Sequence, residues 1–204
     1  MVVAPHPDDE VLGAAGIIVV QSVAAARIDV IAVTNGEAAY PDSDPTTLAE
    51  LRRKEQGAAL DALAEPIPSV HCLGFGDGRV QDHESDLYEL LGKIVLPDDL
   101  LVAPWEHDHH CDHEAVGRVA AKVTDDVGCT LASSLFWAWQ HTDPTIEAEA
   151  TIRRLELDTE ALARRSAAMA CHRTQVSNLV APPILSTADL EPLTWSAEYY
   201  LVRT

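Results

Sequence analysis

The sequence predicts an α/β fold, a parallel sheet covered by helices. Two observations carry this: short apolar runs bounded by turn residues alternate with helix-like stretches along the chain, and the composition suits one packed core. At 204 residues, 47% hydrophobic, the chain fits a single domain spanning 1–204, with no repeat or low-complexity linker to divide it.

The strands are read from apolar runs bounded by turn residues, at Met1–Ala4, Ile28–Val33, Val70–Leu73, Leu100–Ala103 and Leu131–Trp137. Between them Glu10–Ala26, Thr46–Leu63, Ser85–Val95 and His113–Val127 read as helices. Thr159–His172 adds a helix, and the segment holding Pro182, Pro183 and Pro192 is expected to cross the surface before a last strand at Glu198–Val202. Val11–Ala26 is almost wholly apolar or small, but Asp8, Asp9 and Glu10 stand where a secretory signal needs positive charge, and the run is shorter than the roughly 20 residues of a membrane span. Cys72, Cys111, Cys129 and Cys171 are scattered without a CxxC pair, so reduced thiols and a cytoplasmic location are expected.

A net charge of −19 repels phosphate backbones and anionic lipid, which excludes nucleic acid and membrane surfaces as partners. Solubility explains such acidity; adaptation to high salt is the sharper alternative. Gly74-Phe75-Gly76-Asp77-Gly78 lacks the closing spacing of a dinucleotide loop and leads into polar residues rather than a helix. No G-x-S-x-G elbow supports a serine nucleophile.

Ligands of open α/β sheets sit beyond the carboxyl ends of the strands, where both acidic-histidine clusters fall: His6-Pro7-Asp8-Asp9-Glu10 and Asp108-His109-His110-Cys111-Asp112-His113. His6, Asp9 and His113 would supply the three nitrogen and oxygen ligands of a hydrolytic zinc, which lowers the pKa of a bound water to roughly 7. Asp8 is placed to accept that water's proton, and His110, as imidazolium, to stabilise the oxyanion and protonate the leaving amine. Fe²⁺ also accepts a His-Asp-His set. The plain alternative is that each cluster is only a helix start with an Asp cap. Cys111 reads as a bystander, His107 and His109 as solvated or supporting, and His71, His83 and His172 as structural or exposed.

The pattern APHPDDEVLGAAG, then VTNGEA, LRRKE, LGFGDG and DHHCDHEAVGR, resembles the LmbE-like or PIG-L family of metal-dependent N-deacetylases, with looser likeness at Phe136–His141 (FWAWQH) and Ala170–Gln175 (ACHRTQ). The resemblance implies a Rossmann-like domain with helices on both faces. It also implies a zinc hydrolase that removes acetyl groups from N-acetylglucosamine-type amino sugars or their conjugates. It places the metal ligands at His6, Asp9 and His113, the base at Asp8 and the oxyanion histidine at His110. By the same likeness Arg52 holds sugar hydroxyls with Glu55 as its partner, the alternative being a surface i,i+3 ion pair. Asp112 orients a catalytic histidine or caps the following helix, with the same dual reading for Asp108, and Asp77 faces the sugar or shapes a turn. Asn35 stands where relatives often have Asp, leaving Glu37 to carry any polar contact there. Only Met1–Pro5 precede His6, so the first strand is expected to be short and the natural start trimmed or upstream. An amidase for a thiol-sugar conjugate, a secondary-metabolite deacetylase and a non-catalytic metal- or sugar-binding module are the rival functions, and a homo-oligomer is left open.

Overall fold

The computed structural model describes residues 1–140 and 151–203. Seven strands form one sheet: β1 (Val2–Ala4), β2 (Asp29–Ala32), β3 (Ser69–Cys72), β4 (Leu100–Pro104), β5 (Thr130–Ser134), β6 (Thr151–Glu156) and β7 (Ala197–Arg203). Their order is β3-β2-β1-β4-β5-β7-β6, parallel through β5 and antiparallel for β7 and β6. The winding therefore reverses between β1 and β4, and the crevice at that reversal is where a doubly wound sheet takes its ligand.

The helices are α1 (Asp9–Val23), α2 (Pro45–Leu63), α3 (Glu84–Ile94), α4 (Cys111–Val127), α5 (Thr159–Met169) and the short α6 (Arg173–Val176). Alternate side chains of the strands feed two cores. Val2, Ala4, Val30 and Val102 face α1, α2 and α5, while Val3, Ile31 and Leu101 face α3 and α4. α1 lies between the sheet and α5, which explains why its sequence is apolar almost all round. Caps set the ends as their residue types dictate: the carboxylates of Asp44 and Asp158 accept from the backbone N–H of Thr47 and Ala161, and Gly128 closes α4 at a φ of 78°.

The expected strand through Trp137 stops at Ser134, because its partner β4 ends at Pro104, the residue paired with Ser134. The expected helix through His172 stops at Met169, and a second turn begins at Arg173. β6 was not foreseen: its charged residues Arg153, Arg154 and Glu156 mask the alternation, as suits an exposed edge. The proline-containing tail does not stay on the surface, since Leu185 is buried. Among the described residues no helix is long and apolar enough to cross a membrane.

One close approach fixes α4 against the loop after β4. A Cβ at Gly117 would lie 2.6 Å from the backbone nitrogen of Glu106 and 2.7 Å from the carbonyl oxygen of Pro104. Gly117→Ala is expected to lower the unfolding free energy by about 1–3 kcal/mol in urea denaturation. Gly57→Ala, in open space on α2, should be neutral or stabilising by up to about 1 kcal/mol; equal effects at the two positions would show that the approach is not a constraint.

Candidate functional site

β1 delivers His6–Glu10 and β4 delivers Asp108–His113 to the two sides of the crevice, so segments a hundred residues apart meet. The Asp9 carboxylate joins them: Oδ2 lies 3.2 Å from His6 Nδ1 and Oδ1 3.3 Å from His113 Nε2. The rings of His6, His110 and His113 form a triangle with centroids 4.9–5.4 Å apart. All four line one cavity of about 290 Å³ with Asp8, Arg52 and Asp77, at the low end of the roughly 300–1,000 Å³ of small-molecule sites. Leu12, Trp137, Ile184 and Leu185 give it an apolar wall.

Each of the two outer histidines has a carboxylate behind it. His113 Nδ1 lies 2.8 Å from Asp108 Oδ2, while the other Asp108 oxygen accepts from the backbone N–H of Ala138 at 2.9 Å. His6 Nε2 lies 3.0 Å from Asp112 Oδ2 and 3.3 Å from Asp77 Oδ1. Asp112 also accepts from the backbone N–H of Gly78 at 2.7 Å and of Val80 at 3.0 Å, so it ties α4 to the glycine-rich loop. Gly78, at a φ of 75°, lets that loop turn its N–H inward. Asp112 is therefore not the cap of α4. That position belongs to His110, whose Nδ1 accepts the Asp112 N–H at 3.3 Å.

The helix-cap explanation of the first cluster also meets a difficulty. Asp8 occupies the N-cap position of α1, yet its side chain makes no capping bond. Its φ is 141°, a conformation that costs an L residue on the order of 1–3 kcal/mol and recurs at functional sites. Burial and the adjacent Asp9 raise the Asp8 carboxyl to about 7, against the lowering influence of His172, Arg52 and His6. Asp9 moves the other way: burial opposes ionisation, but His113 and His6 outweigh it and hold the carboxyl well below its ordinary range. Burial likewise opposes charge on His113, yet Asp9 and Asp108 carry it up to about 9. Burial and the charges of His113 and His6 push His110 down to about 4, which works against the imidazolium expected of it. With the backbone N–H of Asp112 directed at Nδ1, the ring proton belongs on Nε2.

Imidazole and carboxylate are the donors that Zn²⁺ takes in hydrolytic sites, and His6, Asp9 and His113 fit such an ion by donor type, with Asp9 in contact with both histidines. The sets of single donor atoms that all lie within 4.8 Å of one another are His6–His110–His113, His110–Cys111–Asp112 and His6–Asp77–Asp112; His6, Asp9 and His113 do not make such a set among the described residues, because Asp9 meets each histidine through a different oxygen.

The surface ion pair weighed for Arg52 and Glu55 is absent, because both are buried. Glu55 instead accepts from the backbone N–H and the hydroxyl of Thr174, at 2.9 and 2.6 Å. The Arg52 guanidinium packs on Gly36, lines the cavity, and leaves Nε and Nη2 without a hydrogen-bond partner among the described residues. Glu37 does not line the cavity; it accepts from the backbone N–H of Asn35 at 3.2 Å and of Asp77 at 3.1 Å. Sequence reasoning left Asp108 ambiguous and gave no role to Gln175, which lines the cavity; His172, read as structural or exposed, is buried 3.3 Å from Glu10. His141, the end of the FWAWQH segment, lies outside the described residues.

Residues 1–124 match the family model described as PIG-L: GlcNAc-PI de-N-acetylase. A probable N-acetyl-alpha-D-glucosaminyl L-malate deacetylase 2 from Bacillus cereus is 29% identical over 134 residues, 60% of this chain and 59% of that protein, so the chain matches less than two thirds of this relative's length. Among solved structures, N,N'-diacetylchitobiose deacetylase from Pyrococcus horikoshii superposes with a TM-score of 0.70 at 19% identity, covering 99% of this chain and 82% of that one. A deacetylase of the teicoplanin biosynthetic pathway gives 0.73 at 19%, covering 99% and 96%. A 4-carboxy-2-hydroxymuconate hydratase from Pseudomonas putida gives 0.60 at 13%, covering 99% and 93%, so the same fold also carries other chemistry.

Asp108→Asn is expected to weaken Zn²⁺ affinity by roughly 10–100-fold in a chelator competition titration, because the carboxylate orients His113. Unchanged affinity would reject that role.

Proposed function

Because this chain belongs to the PIG-L family, we propose that it is a metal-dependent N-deacetylase that cleaves the acetamide of an N-acetylglucosamine-type sugar or conjugate, releasing acetate and the free amine. Support comes chiefly from one arrangement: a buried carboxylate, Asp8, with no hydrogen bond to its side chain among the described residues, beside His6, Asp9 and His113 in a cavity open to a small molecule. His6, Asp9 and His113 would hold a divalent ion, Zn²⁺ or Fe²⁺. When bound, it supplies an acidified water and a Lewis-acidic contact for the amide oxygen.

Asp8 takes the proton of the attacking water, a task suited to a carboxyl held near neutral pH, and returns it to the departing nitrogen. His110 donates its Nε2 hydrogen to the oxyanion as a neutral imidazole, its other nitrogen being occupied by the Asp112 N–H. Asp112 acts on His6 and Asp108 on His113, each fixing a ring so that its inner nitrogen faces Asp9. Arg52 reaches sugar hydroxyls with donors that have no partner among the described residues. Asp77, whose carboxylate faces His6 and accepts the Ala38 N–H at 2.9 Å, borders the sugar, while Glu37 shapes the loop that carries Asp77.

The metal-loaded protein, incubated with a panel of N-acetylated amino sugars and thiol-sugar conjugates, is expected to release acetate from at least one. Asp8→Ala should retain bound metal and lose turnover by about 10²- to 10⁴-fold. Full turnover in Asp8→Ala removes the base assignment, and metal or sugar binding without acetate release from any substrate leaves the binding module standing.

A further inference from the structure

The Pro7–Asp8 peptide unit is gripped at both of its polar atoms by side chains. Its carbonyl oxygen accepts a short hydrogen bond from Gln175 Nε2, and its N–H donates to Glu10 Oε2 at 3.2 Å. The two grips are joined. Gln175 Nε2 also lies 3.5 Å from His172 Nδ1, and His172 Nε2 faces Glu10 Oε1 at 3.3 Å. Gln56 steadies Glu10 through a 3.0 Å bond to Oε2. Buried side chains therefore surround one peptide plane, linked by hydrogen bonds except between His172 and Glu10, which approach as an ion pair without a hydrogen bond.

That plane matters because it enters Asp8 at a φ of 141°, and turning it would relieve the strain while swinging the carboxylate off its aim. Gln175 itself is held from outside this set. Its neighbour Thr174 is bonded to Glu55 of α2, and the Thr174 carbonyl accepts from the Tyr40 hydroxyl at 2.7 Å. Residues 172–175 lie well beyond the segment matched by the family model, on a helix too short to be stable alone.

We propose that Gln175 is a positioning residue for Asp8, its amide locking the Pro7–Asp8 peptide so that the carboxylate stays aimed at the reaction site. The inference rests on the N-deacetylase reading, in which Asp8 is the base. Gln175→Met keeps side-chain length and removes both donors; Gln175→Glu keeps the shape and replaces the donors with acceptors.

Both variants are expected to lower kcat for acetate release by about 10- to 100-fold, the scale of a misaimed catalytic group, with KM and zinc content close to wild type and Tm lowered by only several degrees for the lost buried hydrogen bond. In an Asp8→Ala background Gln175→Met should cost nothing further, since the two residues act through one group. A crystal structure of Gln175→Met should show the φ of Asp8 outside the positive region, and this readout needs no activity. The proposal is overturned if KM rises at constant kcat, if the loss persists without the Asp8 carboxylate, which would make Gln175 a direct substrate contact, or if Asp8 keeps its backbone in Gln175→Met. Should wild-type protein release no acetate from any substrate, the deacetylase reading fails, and the Asp8 backbone in that crystal alone decides the role of Gln175.

Discussion

A single carboxylate, that of Asp9, lies between two imidazoles that belong to opposite sides of the sheet's winding reversal, and the geometry of the site follows from that contact. It requires β1 and β4 to be neighbours, so that the loops leaving them share one rim. The constraint reaches outward from there. The two rings must present one nitrogen inward, which demands a hydrogen-bond acceptor behind each, and Asp112 and Asp108 meet that demand from the ends of the same loop and helix. Asp108 in turn holds the Ala138 N–H and draws the chain after β5 over the site, placing Trp137 on the cavity wall.

The electrostatics are those of a closely spaced set whose members push one another apart in proton affinity. Asp8 and Asp9 are adjacent in sequence and both buried, yet only Asp9 is flanked by His6 and His113, so one carboxyl is held ionised and the other rises toward neutrality. Two like groups thereby acquire different tasks from surroundings alone, a recurring sign of a site built for acid–base work.

Much of this was legible in the sequence. Strand and helix alternation fixed the parallel part of the sheet because periods of two and 3.6 residues survive in the apolar pattern, and the strand-end rule brought both histidine clusters to one rim. What escaped were relations that depend on which face of a helix is covered. An Arg-x-x-Glu spacing places Arg52 and Glu55 near each other but does not say that the tail will fold over them and take Glu55 for Thr174. Gln175 stood in the sequence only as the end of the ACHRTQ segment, without a role: its partner is a backbone carbonyl, which leaves no residue-type signal at the other end. β6 was hidden by the charges that keep an edge strand from pairing further.

Helices α1 and α4 both begin at the crevice, and both open on acidic residues, Asp9 and Glu10 in one, Asp112 and Glu114 in the other. Aligned peptide dipoles place roughly half a positive elementary charge at each such end. These partial charges face the acidic residues that open the two helices, in a molecule whose net charge is −19. Those partial charges offset part of the mutual repulsion of the crowded carboxylates without any lysine in the cavity wall.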